Sequence, residues 1–340
     1  MKIKSIAEVR GPMPIRDPFI IGAYHYDVFP KGNGNMGVDK EFLKGKVLGN
    51  DFDREAKWRM YHGQEIPGFP FHPHKGFEIV TIVDEGYTDH LDSKGSKGRY
   101  GNGDVQIMSA GSGILHGEMF PLLNDERENP FRLFQIWINM HSSDKLSEPA
   151  YKMLWKENIP QANIEDENGN AFKIRVILGE YYNVKSTNYL PHSWARNPKH
   201  HVGVALVELE PQAVFKLPQV SATLNRFIFH YEGDGDLMIE GMNVKKQHLA
   251  DLSGDEEIIV TNGDQKNFIL ILEGEPINEP VAAYGPFVMN TEEEIQEAFA
   301  DYRRTQFGGW PWGKREIDFV HPKDEGRFAS YNFGETIDRP

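Results

Sequence analysis

Short apolar runs separated by glycine-containing turns recur along most of this 340-residue chain. The clearest are Phe77–Val83 and Phe131–Asn139, which are rich in β-branched and aromatic residues and have the length of single strands. Turn signals follow within a few residues, as at Asp84–Gly86 and Gly101–Asp104. Short strands at this spacing predict β-sandwiches or β-barrels and argue against alternating β and α units. We therefore expect an all-β fold.

The strand pattern occurs twice along the chain. A polar stretch at 142–170 separates two series of predicted strands, and the second series, 172–272, repeats the order of strands and glycine turns of the first. We interpret the second series as a diverged internal repeat. The chain is long enough for two domains. The predicted divisions are 1–155 for an N-terminal metal-binding β-domain, 156–285 for a second β-domain, and 286–340 for a helix and a wrapping tail.

One helix is predicted near the end of the chain. Thr291 and Glu294 have the spacing of a capping box. The apolar residues that follow recur at helical spacing, and they are Ile295, Ala298, Phe299 and Tyr302. Residues 309–340 show little strand pattern. We expect them to form an irregular tail over the protein surface, held by Trp310 and Trp312.

The composition excludes several classes of function. The net charge of −14 argues against nucleic-acid binding through a basic face, although a protein partner is compatible with it. The chain has no cysteine, so a metal ion would have to be bound by His, Asp or Glu. The N-terminus lacks the apolar core of a signal peptide, and no apolar run is long enough to span a membrane. We expect a cytoplasmic protein.

Two pairs of possible metal ligands lie close together in the first series of strands. His72 and His74 form one pair, and His116 and Glu118 form the other. Each pair has i, i+2 spacing, which directs two side chains to the same face of a strand. Three imidazoles and one carboxylate are a suitable ligand set for a first-row metal ion. The sequence therefore predicts a metal site between residues 68 and 118.

Several other residues are alternatives. Glu78 shares the parity of the first histidine pair if the strand is continuous, so spacing alone does not choose between Glu78 and Glu118 as the fourth ligand. His25 and Asp27 also share a strand face and could be ligands, although a hydrogen-bonding role near the strand end is the simpler interpretation. The tandem His200–His201 would face opposite ways on a strand, which favours a surface role.

Three segments of the sequence resemble the pirin family of cupin proteins. The segments His72–Glu78 and Gly103–Glu118 resemble the two parts of its metal-binding signature, and Tyr284–Glu294 resembles its C-terminal segment. The resemblance extends over roughly residues 15–308 and leaves out the tail. It implies a bicupin, in which two cupin (jelly-roll) β-barrels follow one another and precede a C-terminal helix.

The resemblance also implies the metal and its ligands. Iron is expected in the N-terminal barrel, as Fe(II), bound by His72, His74, His116 and Glu118, with Glu78 in a supporting role or as the substitute fourth ligand. The same ligand set accepts Mn, Co, Ni, Cu or Zn. In the second half, the corresponding positions hold no histidine, since Gln219 and Ser221 replace the first pair. We expect the C-terminal barrel to be metal-free.

Pirin-like proteins are associated with quercetin 2,3-dioxygenase activity, so the resemblance implies a flavonol-like substrate and dioxygen. In such a reaction the flavonol hydroxyl loses a proton, which Glu118 could accept as a general base while also binding the metal. Candidate pocket residues are the aromatic side chains near the ligands, namely Phe69, Phe71, Phe77 and Phe134. Two alternatives are a non-enzymatic co-regulator that binds a protein partner in an iron-dependent way, and a cupin hydrolase or isomerase that uses Zn or Mn.

Overall fold

The computed structural model describes residues 1–340, and nearly all of its regular structure is β-strand. The first fourteen strands are β1 (Ile3–Glu8), β2 (Phe19–Phe29), β3 (Gly68–His74), β4 (Phe77–Glu85), β5 (Tyr87–Asp92), β6 (Lys97–Gly101), β7 (Asp104–Ser109), β8 (Ile114–Met119), β9 (Asn129–Asn139), β10 (Ala150–Leu154), β11 (Gln161–Glu165), β12 (Ala171–Leu178), β13 (Glu180–Tyr181) and β14 (Val184–Lys185). The remaining strands are β15 (Gly203–Leu209), β16 (Val214–Leu217), β17 (Asn225–Glu232), β18 (Leu237–Ile239), β19 (Met242–Asn243), β20 (His248–Leu252), β21 (Ile258–Asn262), β22 (Asn267–Gly274), β23 (Ala282–Tyr284), β24 (Phe287–Met289), β25 (Phe328–Tyr331) and β26 (Thr336–Asp338).

One α-helix, α1, spans Glu292–Thr305. Short 3-10 helices occupy Trp194–Arg196, Pro198–His200, Gln306–Gly308, Glu316–Phe319 and Asn332–Gly334. None of the helices combines the length and the apolar character needed to cross a lipid bilayer.

The chain divides into two compact units. Unit 1 consists of Met1–Gly22 and Asn158–Asn278, and unit 2 of Ala23–Glu157 and Glu279–Pro340. The division after residue 157 lies close to the expected boundary at 155. The two ends of the chain differ from the expected division, because β1 pairs with β20 in unit 1 and β25 pairs with β6 in unit 2. The N-terminal residues therefore belong with the second half of the chain, and the C-terminal residues belong with the first half.

Unit 1 is an antiparallel β-sandwich. One sheet has the order β1-β20-β17-β22-β15-β12-β11, and the other has the order β16-β21-β18-β19. Its interior is apolar, with Ile174, Phe215, Ile228 and Ile271 among the fully buried side chains. Ser221, at one of the positions that correspond to the first histidine pair, hydrogen-bonds the Glu275 carboxylate. The interior of unit 1 is therefore an apolar core.

Unit 2 is also built from two antiparallel sheets. Their orders are β10-β7-β4-β9-β2 and β26-β25-β6-β5-β8-β3. Within the second sheet, β3 pairs with β8, which places His72 directly opposite His116. A bulge between Phe69 and His72 interrupts this pairing. The two predicted ligand pairs therefore lie on neighbouring strands.

Helix α1 follows the expected pattern. The Thr291 side chain accepts a hydrogen bond from the Glu294 N–H, and the Glu294 carboxylate accepts one from the Thr291 N–H, which completes the capping box. Ile295 and Ala298 are buried against a cluster that contains Phe287. The predicted helix is therefore confirmed as a surface helix packed on unit 2.

Residues 309–340 partly follow the expectation of a tail that lies over the protein surface. Trp310 stacks on Phe71 with ring centroids 5.1 Å apart, and Trp312 Nε1 donates a hydrogen bond to the Asp92 carbonyl at 2.8 Å. The expectation of an irregular tail was incomplete, because β25 extends the sheet beside β6 and β26 pairs with β25. These segments are too short for sequence periodicity to separate a strand from a loop.

A buried ion pair holds the tail in place. Asp89 and Arg99 are both fully buried and form two hydrogen bonds of 2.7 Å. The Arg99 guanidinium also donates to the carbonyls of His321 and Pro322, each at 2.8 Å, and the His321 N–H donates to Asp89. The ion pair therefore serves as the docking point for the tail on β5 and β6.

Candidate metal centre

The structure brings three of the four predicted ligands together. One ring nitrogen from each of His72, His74 and His116 lies within 4.8 Å of the others. The ring centroids are 4.5 to 4.9 Å apart. Two donor atoms on one first-row ion, each about 2.1 Å from it, are separated by roughly 3 to 4.2 Å. The cluster is therefore close to the size that a single ion requires.

Backbone carbonyls orient two of the three rings. His72 Nδ1 lies 2.8 Å from the Pro70 carbonyl oxygen, and His74 Nδ1 lies 3.1 Å from the Pro286 carbonyl oxygen. Because a carbonyl can only accept a hydrogen bond, each Nδ1 carries the proton and each Nε2 keeps a free lone pair. His72 and His74 can therefore each offer an unprotonated Nε2 to a metal ion.

His116 gives independent evidence that the cluster fits a metal. Its side chain is fully buried, yet neither ring nitrogen has a hydrogen-bond partner. Buried polar groups in folded proteins nearly always have a partner. A metal ion bound between the three rings would satisfy one nitrogen of His116. The residues present therefore fit a metal ion.

Burial keeps the three imidazoles neutral. It lowers the pKa of His72 to about 4 and the pKa values of His74 and His116 well below their ordinary range. Neighbouring imidazoles lower the pKa values of His74 and His116 further, since a second charge in the cluster would be repelled. Neutral imidazole is the form that binds metal.

We expect metal binding to be nearly independent of pH from 8 down to about 5.5. A protonated imidazole has no lone pair for the metal, and the lowered pKa of His72, about 4, delays protonation until the solution is strongly acidic. Affinity should then fall as the pH approaches 4. Competition with a chelator of known affinity, measured across this range, would test the expectation. A midpoint near 6.5 would instead indicate solvated histidines and contradict it.

Glu118 lies beside the three histidines. Its Oε2 is 3.8 Å from His116 Nε2, and its carboxylate accepts hydrogen bonds from Gln135 Nε2 at 2.9 Å and Thr81 Oγ1 at 3.4 Å. Burial raises the pKa of Glu118, and this effect is opposed by the electrostatic influence of His90 and by the two hydrogen bonds. The carboxylate is close enough to be the fourth ligand, which stays a prediction.

The cluster of three ring nitrogens includes neither Glu118 nor Glu78, so the choice between the two carboxylates depends on their positions on the strands. A turn separates β3 from β4, so the continuous strand that would give Glu78 the parity of the first histidine pair is not present. Side chains alternate along β4, and Glu78 therefore points to the opposite face from Thr81, which contacts Glu118. This geometry favours Glu118 over Glu78.

The chain matches two family models. The model described as "Pirin" covers residues 38–138, and the model described as "Pirin C-terminal cupin domain" covers residues 204–308. The human protein Pirin is 36% identical over 253 residues, which cover 73% of this chain and 80% of the human protein. This chain belongs to the pirin family.

Other relatives of this pirin-family protein agree with that assignment. A protein of Thermoplasma acidophilum named "Putative quercetin 2,3-dioxygenase" is 32% identical over 250 residues, which cover 71% of this chain and 92% of the relative. A crystal structure described as quercetin 2,3-dioxygenase from Acinetobacter baumannii superimposes on this chain with a TM-score of 0.69 and a sequence identity of 27%. The superposition covers 91% of this chain and 98% of that protein. The predicted bicupin fold is confirmed.

A histidine–aspartate pair beside the cluster of this pirin-family protein was missed by the sequence analysis. His90 Nε2 lies 3.1 Å from Asp92 Oδ2, and both side chains are fully buried. The His90 ring stacks on Tyr151 and lies 5.6 Å from the His116 ring, measured between centroids. The i, i+2 spacing of His90 and Asp92 on a strand is the signal that identified the ligand pairs, and it could have identified this pair too.

His25 and Asp27 of this pirin-family protein lie outside the cluster. Asp27 Oδ2 accepts a 2.6 Å hydrogen bond from the Tyr61 hydroxyl, and Asp27 Oδ1 lies 3.4 Å from Arg59 Nη1. The His25 ring packs edge-on against Tyr61 at 4.9 Å. These contacts support the structural interpretation of both residues over a ligand role.

The four aromatic pocket candidates separate into two groups. Phe77 and Phe69 contact histidines of the cluster, with ring centroids 5.1 Å from His74 and 6.3 Å from His72 respectively. Phe71 packs against the tail instead, and Phe134 stacks on Tyr24. An aromatic residue beside the cluster that the sequence pattern did not reveal is Trp137, which is partly exposed, stacks on Phe77 at 4.2 Å and lies 5.2 Å from His74.

Proposed function

We propose that this pirin-family protein is an Fe(II)-dependent dioxygenase that acts on a flavonol such as quercetin. The observation that carries the proposal is a cluster of three neutral imidazoles, of which His74 and His116 are buried, beside the buried carboxylate of Glu118. Two relatives support it, since the proteins of T. acidophilum and A. baumannii described above carry quercetin 2,3-dioxygenase names. The aromatic side chains of Phe77 and Trp137 next to His74 suit a flat substrate.

The proposed ligands are His72, His74, His116 and Glu118. A bound Fe(II) ion would supply a Lewis-acid contact for the substrate oxygen and a binding position for dioxygen. In support of this set, one ring nitrogen of each histidine lies within 4.8 Å of the other two, and the carbonyl contacts to His72 and His74 restrict rotation of these two rings.

Glu118 is the proposed general base. Its buried carboxylate has a raised pKa, so it holds a proton more readily than an exposed glutamate does. The amide of Gln135 donates to both oxygens of Glu118, and Thr81 donates to one, which fixes the orientation of the carboxylate. A flavonol hydroxyl placed beside Glu118 would give up its proton to this carboxylate. Gln135 would then donate its hydrogen bond to the unprotonated oxygen of the neutral carboxyl group.

The deciding experiment is dioxygen consumption. The protein would be loaded anaerobically with Fe(II), mixed with quercetin and compared with the metal-free protein. We expect rapid uptake that requires the metal. Protein that holds one iron per chain and consumes no dioxygen with quercetin would contradict the proposal and favour a non-enzymatic, iron-dependent role in binding a protein partner.

We expect Glu118→Gln to lower kcat by about a hundredfold, at the lower end of the range for loss of a general base. The amide has nearly the same shape but accepts a proton far less readily. Steady-state oxygen uptake and metal content would be measured together. The matched variant Glu78→Gln should keep both values close to those of the wild type. Loss of metal in Glu78→Gln and its retention in Glu118→Gln would reverse the assignment of the fourth ligand.

A further inference from the structure

A short C-terminal segment contacts the strand end that carries His74. We define the C-terminal clasp as residues 282–289, which comprise β23, β24 and the turn between them. The Pro286 carbonyl, in this turn, accepts the hydrogen bond from His74 Nδ1. The Val288 N–H donates to the Lys75 carbonyl at 3.0 Å. The clasp therefore runs beside residues 72–76, which we call the ligand segment, and supplies the hydrogen-bond partner of the His74 ring.

A buried lysine joins the clasp to the ligand segment. Lys145 is 1% exposed, and its Nζ donates to the Gly76 carbonyl at 2.8 Å, the Val288 carbonyl at 3.1 Å and Asn139 Oδ1 at 2.6 Å. Burial of an ammonium group is costly unless its hydrogen bonds are satisfied. Here the three donor hydrogens of the ammonium meet three oxygens, two of which belong to the backbones of the clasp and of the ligand segment.

The two backbones approach each other so closely that a side chain would not fit between them. Gly76 has a φ of +86°, and a Cβ at this position would lie 2.1 Å from the Val288 carbonyl oxygen. Two carbonyl oxygens that point toward the same small volume repel each other, and the Lys145 ammonium lies where it binds both. The lysine therefore stabilises the spacing between Gly76 and Val288.

We propose that Lys145 is a positioning residue for the metal site. It fixes the clasp against the ligand segment, so that the Pro286 carbonyl keeps the proton of His74 on Nδ1 and leaves Nε2 for the metal. This proposal rests on the proposed function, because it takes His74 to be a metal ligand. The tautomer of His74 can nevertheless be measured in the metal-free protein. These hydrogen bonds of Lys145 go to Gly76, Asn139 and Val288 and not to the histidines, so its effect on the site is indirect.

The first test uses the full-length, metal-free protein. Long-range proton–nitrogen NMR spectra report which ring nitrogen of a histidine carries the proton. We expect the wild type to hold His74 in the single tautomer protonated at Nδ1, and Lys145→Met to show a mixture of the two tautomers. The control is Lys156→Met at an exposed position, which should leave the spectrum unchanged. A folded Lys145→Met protein with an unchanged His74 tautomer would overturn the proposal.

The second test measures the metal. Loss of a residue that supports a ligand typically weakens metal affinity by 10- to 100-fold. We expect this loss in Lys145→Met, together with an altered electron paramagnetic resonance spectrum of the Cu(II)-loaded protein. If Lys145→Met does not fold, Asn139→Ala removes one of the three acceptors and should show the same changes to a smaller degree. Unchanged affinity and spectrum in the folded variant would overturn the proposal.

The two proposals fail in different ways. A wild-type protein that binds metal but does not consume dioxygen would contradict the dioxygenase function and leave the role of Lys145 standing. A protein with normal dioxygen uptake in which Lys145→Met changes neither the His74 tautomer nor the metal affinity would contradict only the positioning role.

Discussion

Replacing His116 with alanine is expected to abolish metal binding and, with it, any metal-dependent oxygen uptake. His116 lies directly opposite His72 on the neighbouring strand and contributes one of the three clustered ring nitrogens. Its loss leaves two imidazoles, so affinity should fall by more than the roughly 10- to 100-fold that loss of a supporting residue costs. Metal per chain would be measured by mass spectrometry after dialysis against a weak chelator.

The folded state should survive this substitution better than most core replacements. Neither ring nitrogen of His116 has a hydrogen-bond partner, so alanine breaks no hydrogen bond and leaves only a cavity. The matched control is His248→Ala, in unit 1, whose Nδ1 bonds only the nearby Lys246 carbonyl. Full metal content in a folded His116→Ala protein would show that the cluster is not the metal site.

Replacing Asp89 with asparagine is expected to lower the free energy of unfolding by about 3–5 kcal/mol, the usual cost of leaving one member of a buried ion pair without its partner. The Arg99 guanidinium would stay in the interior without a countercharge from Asp89. The hydrogen bonds from the Arg99 guanidinium to the tail carbonyls would also weaken, because Asp89 fixes the orientation of the guanidinium through two hydrogen bonds. Urea unfolding, followed by tryptophan fluorescence, measures the change.

The same substitution should loosen the tail before the whole protein unfolds. Limited proteolysis should cut residues 309–340 of Asp89→Asn faster than those of the wild type, because the docking point on Arg99 is weakened. The control is Arg315→Met, which removes an exposed ion pair with Asp318 and should cost less than about 1 kcal/mol. Equal stability of Asp89→Asn and wild type would contradict the docking role.

The strands and the grouping of the histidines could be predicted because their signals are local. Phe77–Val83 and Phe131–Asn139 have the composition of strands, and they lie within β4 and β9. The i, i+2 spacing of His72 and His74 needed only a strand to place both rings on one face. The capping box at Thr291 is likewise complete within four residues. Each of these features depends on neighbours in the sequence.

The remaining features depend on residues that are distant in sequence. The Pro286 carbonyl reaches His74 across 212 positions, and any residue could supply a carbonyl, so no sequence pattern marks it. Lys145 looks like an ordinary surface lysine until the fold closes around it. The continuity that made Glu78 a ligand candidate depended on the turn between β3 and β4, whose geometry spacing alone does not give.

The division of the chain into two discontinuous units determines the order in which they can fold during synthesis. Unit 2 combines residues 23–157 with residues 279–340, so it needs a part of the chain that is synthesised after residues 1–22 and 158–278 of unit 1. Most proteins complete their N-terminal domain first during translation. In this protein the half that contains the histidines must wait for the other half to be made. The histidine cluster can therefore reach its finished form only after Pro286, whose carbonyl contacts His74, has been synthesised.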